Sequence, residues 1–304
     1  LTLTANNAGL TGGVTVDKGT LSISNDNNLG SPSARLTLKD GTTLETTQEV
    51  SLLSRELTLS SGNVTLQQHT NNVILGQKVT GSGHLVKEGS GVLTLDGVND
   101  FSGGVNVNAG QVTVSKDSSL GSGTATFATG TQLNTSANVQ LANQISLNGT
   151  TAIDTAAATK ATLTGVVGDV LGSPTLGKLV KQGDGTLALD AANTYSGGTN
   201  VNKGKVVVNK DASLGTGSVT FANATTLETS AKVNLANQIQ LDGNTTFNTT
   251  VDAQQNDNAL VVAGTISGTG SLTKVGVSSV TLDGVNTYTG GTTVNAGKVV
   301  VSQD

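Results

Sequence analysis

The feature that most constrains this chain is a long internal repeat. Four segments align: Leu1–Val16 (LTLTANNAGLTGGVTV), Leu93–Asn108 (LTLDGVNDFSGGVNVN), Leu187–Asn202 (LALDAANTYSGGTNVN) and Val280–Asn295 (VTLDGVNTYTGGTTVN). Their glycine pairs, Gly12/Gly13, Gly103/Gly104, Gly197/Gly198 and Gly290/Gly291, recur at spacings of 91, 94 and 93 residues. Upstream of three of them stands a G-x-L-x-K-type segment, at Gly81–Gly91, Leu176–Gly185 and Gly268–Ser278. Downstream, Lys116–Thr151 parallels Lys210–Thr246. A unit that returns at a near-fixed interval buries its apolar side by stacking on its own copies, the logic of a solenoid.

Within one unit, short runs alternate apolar and polar: LTL, VNV, QVTV, ATF, TQL, VQL, QISL, TAI and KLVK. Apolar residues at i and i+2 are the signature of a strand with one buried face. Gly, Asn, Asp and Ser turns separate the runs. No stretch holds a helical period; the Ala-rich Thr155–Thr162 comes nearest and is too short and Thr-rich. Ten to twelve strands per unit predict about four coils of three strands, each about 20–25 residues. About thirteen such coils, stacked at the ~4.8 Å strand spacing, make a rod on the order of 60 Å long. The expected fold is therefore all-β, a right-handed parallel β-helix running as one continuous element over 1–304. Its long repeats are 1–92, 93–186, 187–279 and a partial 280–304. Asp-Gly and Asn-Gly pairs at Asp96, Asn148, Asp242 and Asp283 also permit tandem hairpin sandwiches. The long period and three-residue strands favour the solenoid.

Composition narrows function. The chain has 40 Gly and no Cys, which excludes disulfides, thiolate catalysis and Cys-ligated zinc. Sixteen basic residues against 21 acidic, a net charge of −5, argue against phosphate-backbone binding and against electrostatic attachment to anionic membranes. No run approaches the ~20 apolar residues of a membrane helix, so neither nucleic acid nor direct membrane insertion is expected. The first residue is Leu1, no charged and apolar leader is present, and both ends fall mid-pattern; an internal fragment is expected.

The segments GKLVKQGDGTLALDAANTYSGGTNVNKGKVVV and GSLTKVGVSSVTLDGVNTYTGGTTVNAGKVVV resemble the passenger-associated transport repeat of autotransporter passengers. The likeness is close at 176–208 and 268–301. It is good at 81–114, where Asp100 and Phe101 replace the usual Thr and Tyr, and partial at 1–23, where the aromatic is lost. The resemblance implies type V secretion by a Gram-negative bacterium through the periplasm to the cell surface. It also implies a C-terminal translocator barrel outside this segment. Family passengers include adhesins, self-associating biofilm proteins, toxins and enzymes.

The expected role is a surface stalk or adhesin acting in aggregation, biofilm formation or host attachment. Its partners would be its own kind, or a receptor or glycan on a host or bacterial surface. The alternatives are a passive scaffold and secretion aid for a toxin or enzyme elsewhere in the passenger, and, more remotely, a β-helix polysaccharide-degrading enzyme. Neither a cofactor nor a metal is called for, and no catalytic residue is assigned. His69 and His84 lack zinc spacing, and His84 shares a repeat position with Ser271, which predicts solvent exposure. Asp96, Asp190 and Asp283 read as turn formers, being too far apart for paired-carboxylate chemistry. Arg35 and Arg55, with Glu45, Glu49 and Glu56, read as solvated charges. Phe101, Tyr195 and Tyr288 share a position before the Gly-Gly pair. Each could stack on a sugar; the plainer expectation is a ring packed over a turn, with a Tyr hydroxyl reaching solvent or backbone. Asn108, Asn202 and Asn295, with Asn143 and Asn237, are expected to satisfy turn backbone and to tolerate positive φ, or else to form outward ladders.

Overall fold

The computed structural model describes residues 1–251 and 257–303. The fold is all-β, a parallel β-solenoid in two compact units, Leu1–Ser146 and Leu147–Asp304. Among the described residues, no helix is long and apolar enough to cross a membrane.

In the first unit, three parallel sheets share one interior. One includes Thr20–Ile23, Thr43–Thr46, Asn63–Gln67, His84–Glu88, Val105–Val107 and Ala125–Ala128. The second contains Val14–Val16, Leu36–Leu38, Leu57–Leu59 and Val79–Gly81. The third includes Val50–Leu52, Val73–Leu75, Val92–Leu95, Gln111–Val114 and Thr131–Thr135. The register keeps like on like. Leu85 pairs with Val105 and Val105 with Ala125, while Val73, Leu93, Val112 and Leu133 form a second column. A register in steps of one coil sends the same alternation inward every time, so buried and half-exposed residues alternate along many strands, as in Gln111–Val114.

The second unit repeats the plan. Leu179, Thr199, Val219, Ile239 and Ile266 stack on one face. Leu187, Val206, Leu227 and Phe247 stack on another. Val233–Leu235, Leu260–Val262, Ser279–Leu282 and Lys298–Val301 make the third. Phe221 and Phe247, both fully buried, meet edge to face with centroids 6.1 Å apart. The Ala-rich stretch is no helix. Thr150–Thr155 and Lys160–Leu163 are strands, joined by a turn in which Thr159 Oγ1 donates to the Ala156 carbonyl at 2.7 Å.

One local departure was not legible in the repeat. After Thr20–Ile23 the chain makes a 3-10 turn, Asp26–Leu29, capped by Asn25. Arg55 holds this excursion in place. Its buried guanidinium pairs with Asp26 Oδ1 at 2.7 Å and donates to the Ala34 and Gly30 carbonyls at 2.5 and 3.2 Å. The expectation that Arg55 is a solvated charge is thereby corrected: five donors in a fixed fork suit a cluster of turn carbonyls better than water does.

Leu187 is fully buried on the inward face. Leu187→Asp would place an unpaired carboxylate there, and the variant should lose roughly 3–5 kcal/mol of stability, read as a shift in the urea unfolding midpoint. An unchanged midpoint would refute the inward assignment.

Candidate functional site

The repeat concentrates polar side chains in the interior, and these were the residues sequence reasoning missed. Lys87, Lys181 and Lys274 are the lysines of the G-x-L-x-K segments, and all three are fully buried. Each points inward because it stands two residues after an inward Leu. In the ladder, Lys87 lies opposite Leu66 and Val107, and Lys181 opposite Ile153 and Val201. The methylene stem packs in the core while the ammonium reaches the corner of the coil. There Lys181 Nζ donates to the carbonyls of Gln182, Gly183 and Lys203 at 2.6, 2.7 and 3.2 Å. Lys274 does the same with Val275, Gly276 and Ala296 at 2.5, 2.7 and 3.3 Å. Lys87 Nζ donates to Gly89 at 2.6 Å and, more weakly, to Glu88 at 3.4 Å. Each lysine therefore caps the turn that follows its own strand, and Lys181 and Lys274 also cap the stacked turn of the next coil. Desolvation pulls the Lys87 and Lys181 amines down to about 8 and lowers Lys274 as well.

A second set of buried side chains staples coils together. Asn99 and Asn193 are almost fully buried. Asn99 Oδ1 accepts from the Val79 amide at 2.8 Å, one coil back, and its Nδ2 donates to the Ser119 carbonyl at 2.6 Å, one coil on. Asn193 bridges the Val167 amide and the Ser213 carbonyl at 2.8 and 2.6 Å in the same way. Asn286 accepts from Ile266 at 2.8 Å and turns its amide to Gly284. One carboxamide, donor and acceptor at once, thus joins three successive coils.

The aromatic position adjoins this staple. Phe101 and Tyr195 have no exposed surface. Each is roofed by a glycine of the next coil: a Cβ on Gly121 would stand 3.1 Å from the Phe101 ring, and one on Gly215 2.7 Å from Tyr195. The Tyr195 hydroxyl reaches neither solvent nor backbone directly. It bonds Thr199 Oγ1 at 2.7 Å, which in turn donates to the Leu214 carbonyl at 2.9 Å. Rings without exposed surface cannot stack on a sugar, which sets that expectation aside for Phe101 and Tyr195. Tyr288 is half-buried, with its hydroxyl against Thr292. The Gly-Gly pair is a close-approach site. A Cβ on Gly103 would fall 2.4 Å from Gly83 in the coil before it, and one on Gly104, at φ +93°, 2.2 Å from Thr124 O in the coil after. Gly197 and Gly198 sit in the same vice, between Gly177 and Ser218. Gly290 meets Gly270, and Gly291, at φ +82°, has open space.

Asn108, Asn202 and Asn295 are exposed, and their backbone amides donate to the carbonyls of Lys87, Lys181 and Lys274 at 2.9–3.0 Å. Asn108 reaches Glu88 of the coil below at 2.6 Å, one rung of an outward ladder. None of the five asparagines has positive φ; that conformation falls to Gly110, Gly204 and Gly297, two residues after the first three. Asn143 and Asn237 do satisfy turn backbone, each donating to two glycine carbonyls of the preceding coil, Gly121/Gly123 and Gly215/Gly217, at 2.7–3.1 Å.

Asp96, Asp190 and Asp283 end strands, and their amides continue the ladder to Leu75, Leu163 and Val262. A hydrogen bond from Ser115, with Lys116 nearby, holds the Asp96 carboxyl below its usual range. Other charges are paired apart: Glu45 with His69 at 3.0 Å, Arg35 with Glu56 at 2.6 Å, and Glu49 with the Asn72 amide at 3.1 Å. The His69 hydrogen bond, followed by Ser22, lowers the Glu45 carboxyl. His84 is exposed, as its repeat position predicted. In the second unit a polar surface groove of about 560 Å³ is lined by Asp154, Gln182, Asp184, Asn202 and Lys203.

Two outcomes follow from the buried polar set. Asn193→Ala leaves the Val167 amide and the Ser213 carbonyl without their partner and should cost about 1–3 kcal/mol in chemical unfolding. Stability should also rise with pH above 8. Between about 8, where folded Lys87 and Lys181 titrate, and ~10.4, where an unfolded lysine does, the unfolded chain binds more protons, so raising pH favours the fold. Tyr195 acts oppositely above pH ~10, because burial keeps its hydroxyl protonated in the fold. A Lys87→Met/Lys181→Met chain should lose most of the rise between pH 8 and 10, measured by urea unfolding at each pH; a rise undiminished by both substitutions contradicts the assignment.

Comparison with known proteins places this architecture. The passenger-associated-transport-repeat family matches residues 1–23, 85–114, 179–208 and 272–301, the last three of which carry the inward Lys, the bridging Asn and the Gly-Gly pair. The adhesin BmaC autotransporter of Brucella suis biovar 1 (strain 1330) is 32% identical over 135 residues, covering 43% of this chain and 4% of that protein. The chain thus spans a small fraction of the length of this relative. No solved structure matches the chain significantly. With four such repeats laid on a parallel β-solenoid, the chain is similar to a segment of an autotransporter passenger, the class of protein that Gram-negative bacteria secrete to their cell surface.

Proposed function

We propose that this segment is an adhesive stalk, holding polar side chains out from the cell and presenting them to other bacterial or host surfaces. The observation that carries the reading is the outward lattice. In the first unit Thr15, Thr37, Thr58 and Thr80 stand in register, one per coil. In the second, Thr226, Thr246, Thr273 and Thr293 do the same. Weak contacts repeated at a fixed spacing gain strength by number, without any single deep pocket. The name of the Brucella relative, an adhesin, supports the reading. So does the dispersal of the charges a polysaccharide-cleaving groove would gather: Arg55 serves the 3-10 excursion, and Glu45 and Glu49 serve His69 and Asn72. A C-terminal translocator barrel outside the segment would carry it across the outer membrane.

A second reading, a passive scaffold that aids secretion of an activity elsewhere in the passenger, is favoured by one observation. The repeat's most distinctive residues, Lys181 and Asn193, make only internal contacts. Deleting the segment from the displayed passenger separates the two. For the adhesive stalk, clumping and attachment per displayed molecule should fall, and added purified 304-residue chain should compete with intact cells. Unchanged adhesion per molecule, with reduced surface yield, would overturn it in favour of the scaffold.

A further inference from the structure

In the second unit, the corner that Lys181 caps carries side chains the coil does not use. Three stacked turns meet there, after strands Thr150–Thr155, Lys178–Gln182 and Thr199–Val201. They line the groove of about 560 Å³. Asp154 stands in register with Gln182, and Asn202 follows Val201, the partner of Lys181, so the three form one outward column. Asp184 and Lys203 flank it, both exposed. The floor is fixed. Lys181 Nζ holds the Gln182, Gly183 and Lys203 carbonyls from beneath, and the Gly185 amide donates to Thr155 O at 3.1 Å. Gly183 keeps the groove open, since a Cβ there would stand 2.3 Å from Asp154 Oδ1. Above that floor, the side chains of Gln182, Asp184, Asn202 and Lys203 make no hydrogen bond or ion pair among the described residues. The matching corners are furnished differently. In the first unit the places belong to Gln67, Glu88, Ser90, Asn108 and Ala109, and Asn108 is spent on Glu88. Around Lys274 they belong to Asn248, Val275, Val277, Asn295 and Ala296. Two carboxylates, two carboxamides and an ammonium at one corner are therefore not a demand of the repeat.

The geometry points to this groove as a binding site for a neutral saccharide. Its charges balance, Asp154 and Asp184 against Lys203 at the rim and Lys181 beneath, so neither an anion nor a cation gains a net attraction. What the groove offers is hydrogen bonding. A carboxylate accepts at two oxygens, and the vicinal hydroxyls of a hexopyranose present two donors side by side. Gln182 and Asn202 each donate and accept, and Lys203 donates to ring or hydroxyl oxygens. The bonds to the two carboxylates are charge-assisted and the stronger ones. A peptide finds less here. The strand Lys178–Gln182 is paired on both sides, with Thr150–Thr155 and Thr199–Val201, so it offers no free edge. The apolar lining amounts to Ala156 and Ala157, too little to pocket a side chain. With no aromatic ring to stack on the sugar, one groove binds weakly; many displayed chains hold a glycan-coated surface by number. The inference deepens the adhesive reading by giving it a ligand class, and it rests on that reading only for its consequence between cells. Binding is a property of the purified chain.

Fluorescent beads coated with the 304-residue chain test it, applied to a printed array of neutral, sialylated and sulfated oligosaccharides with EDTA present to exclude a metal bridge. The native chain should bind neutral gluco-, manno- or galacto-oligosaccharides in preference to the anionic ones. Asp154→Asn/Asp184→Asn should bind the same glycans about tenfold or more weakly. Ala157→Trp, on an exposed wall of the groove, should abolish binding without touching the interior, and an unchanged urea midpoint verifies that this chain folds. Glu88→Gln, at the corresponding corner of the first unit, should bind as the native chain does. Binding to no neutral glycan, equal binding to the anionic ones, groove variants that bind as tightly as the native chain, or an equal loss in Glu88→Gln would each overturn the site. If the array stays dark while deletion of the segment still abolishes adhesion, the groove falls and the adhesive stalk stands. If the groove binds while adhesion per displayed molecule survives deletion, the groove stands and the adhesive stalk falls.

Discussion

No coil in this protein has a core of its own. A turn of about twenty residues puts a few Val, Leu or Ile side chains inside, and only the coils on either side remove them from water. The parallel ladder that joins the coils also stacks their corners, and this imposes the main cost of the design. Strand backbone is satisfied by its neighbours, whereas corner carbonyls turn away from the ladder into partly buried space, where an unmatched polar group costs free energy. The repeat places its polar residues at these corners. Lys181 supplies three donors to three carbonyls, and Asn193 supplies an acceptor backward and a donor forward. A buried ammonium is tolerable here because the carbonyls that need it replace the water it loses.

That geometry explains which parts of the motif could be read in advance. The strands were legible because period two is a direct consequence of one-sided burial: nearly every alternating run between Leu93 and Lys181 is a strand in the structure. The same rule contained the lysines. Lys87 stands two residues after Leu85 and must share its inward face, but a lysine in a G-x-L-x-K segment is easily read as a surface residue. Asn99 and Asn193 were hidden differently. They look like turn asparagines, and their role depends on an amide and a carbonyl each some twenty or more residues away in the chain. Arg55 and Arg35 cannot be told apart locally either. What buries Arg55 is the Asp26–Leu29 excursion one coil earlier, a contact no periodicity reports. The aromatic site fails for the same reason: a glycine one coil on decides whether Phe101 or Tyr195 is covered.

A solenoid that meets its polar demands from inside leaves its outer faces free to vary. The position occupied by Lys78 in one repeat is Val166 or Thr265 in others, with the same backbone bond to a buried asparagine beside it. On such a surface the neighbours of a residue are its counterparts one coil away, about 20 residues off in sequence and ~4.8 Å off in space. Substitutions scattered along the chain therefore fall into rows. Neutral rows of threonine offer many equivalent hydrogen-bonding positions and little preference among registers. Such rows can change without disturbing the interior lysines and asparagines that hold the coils together.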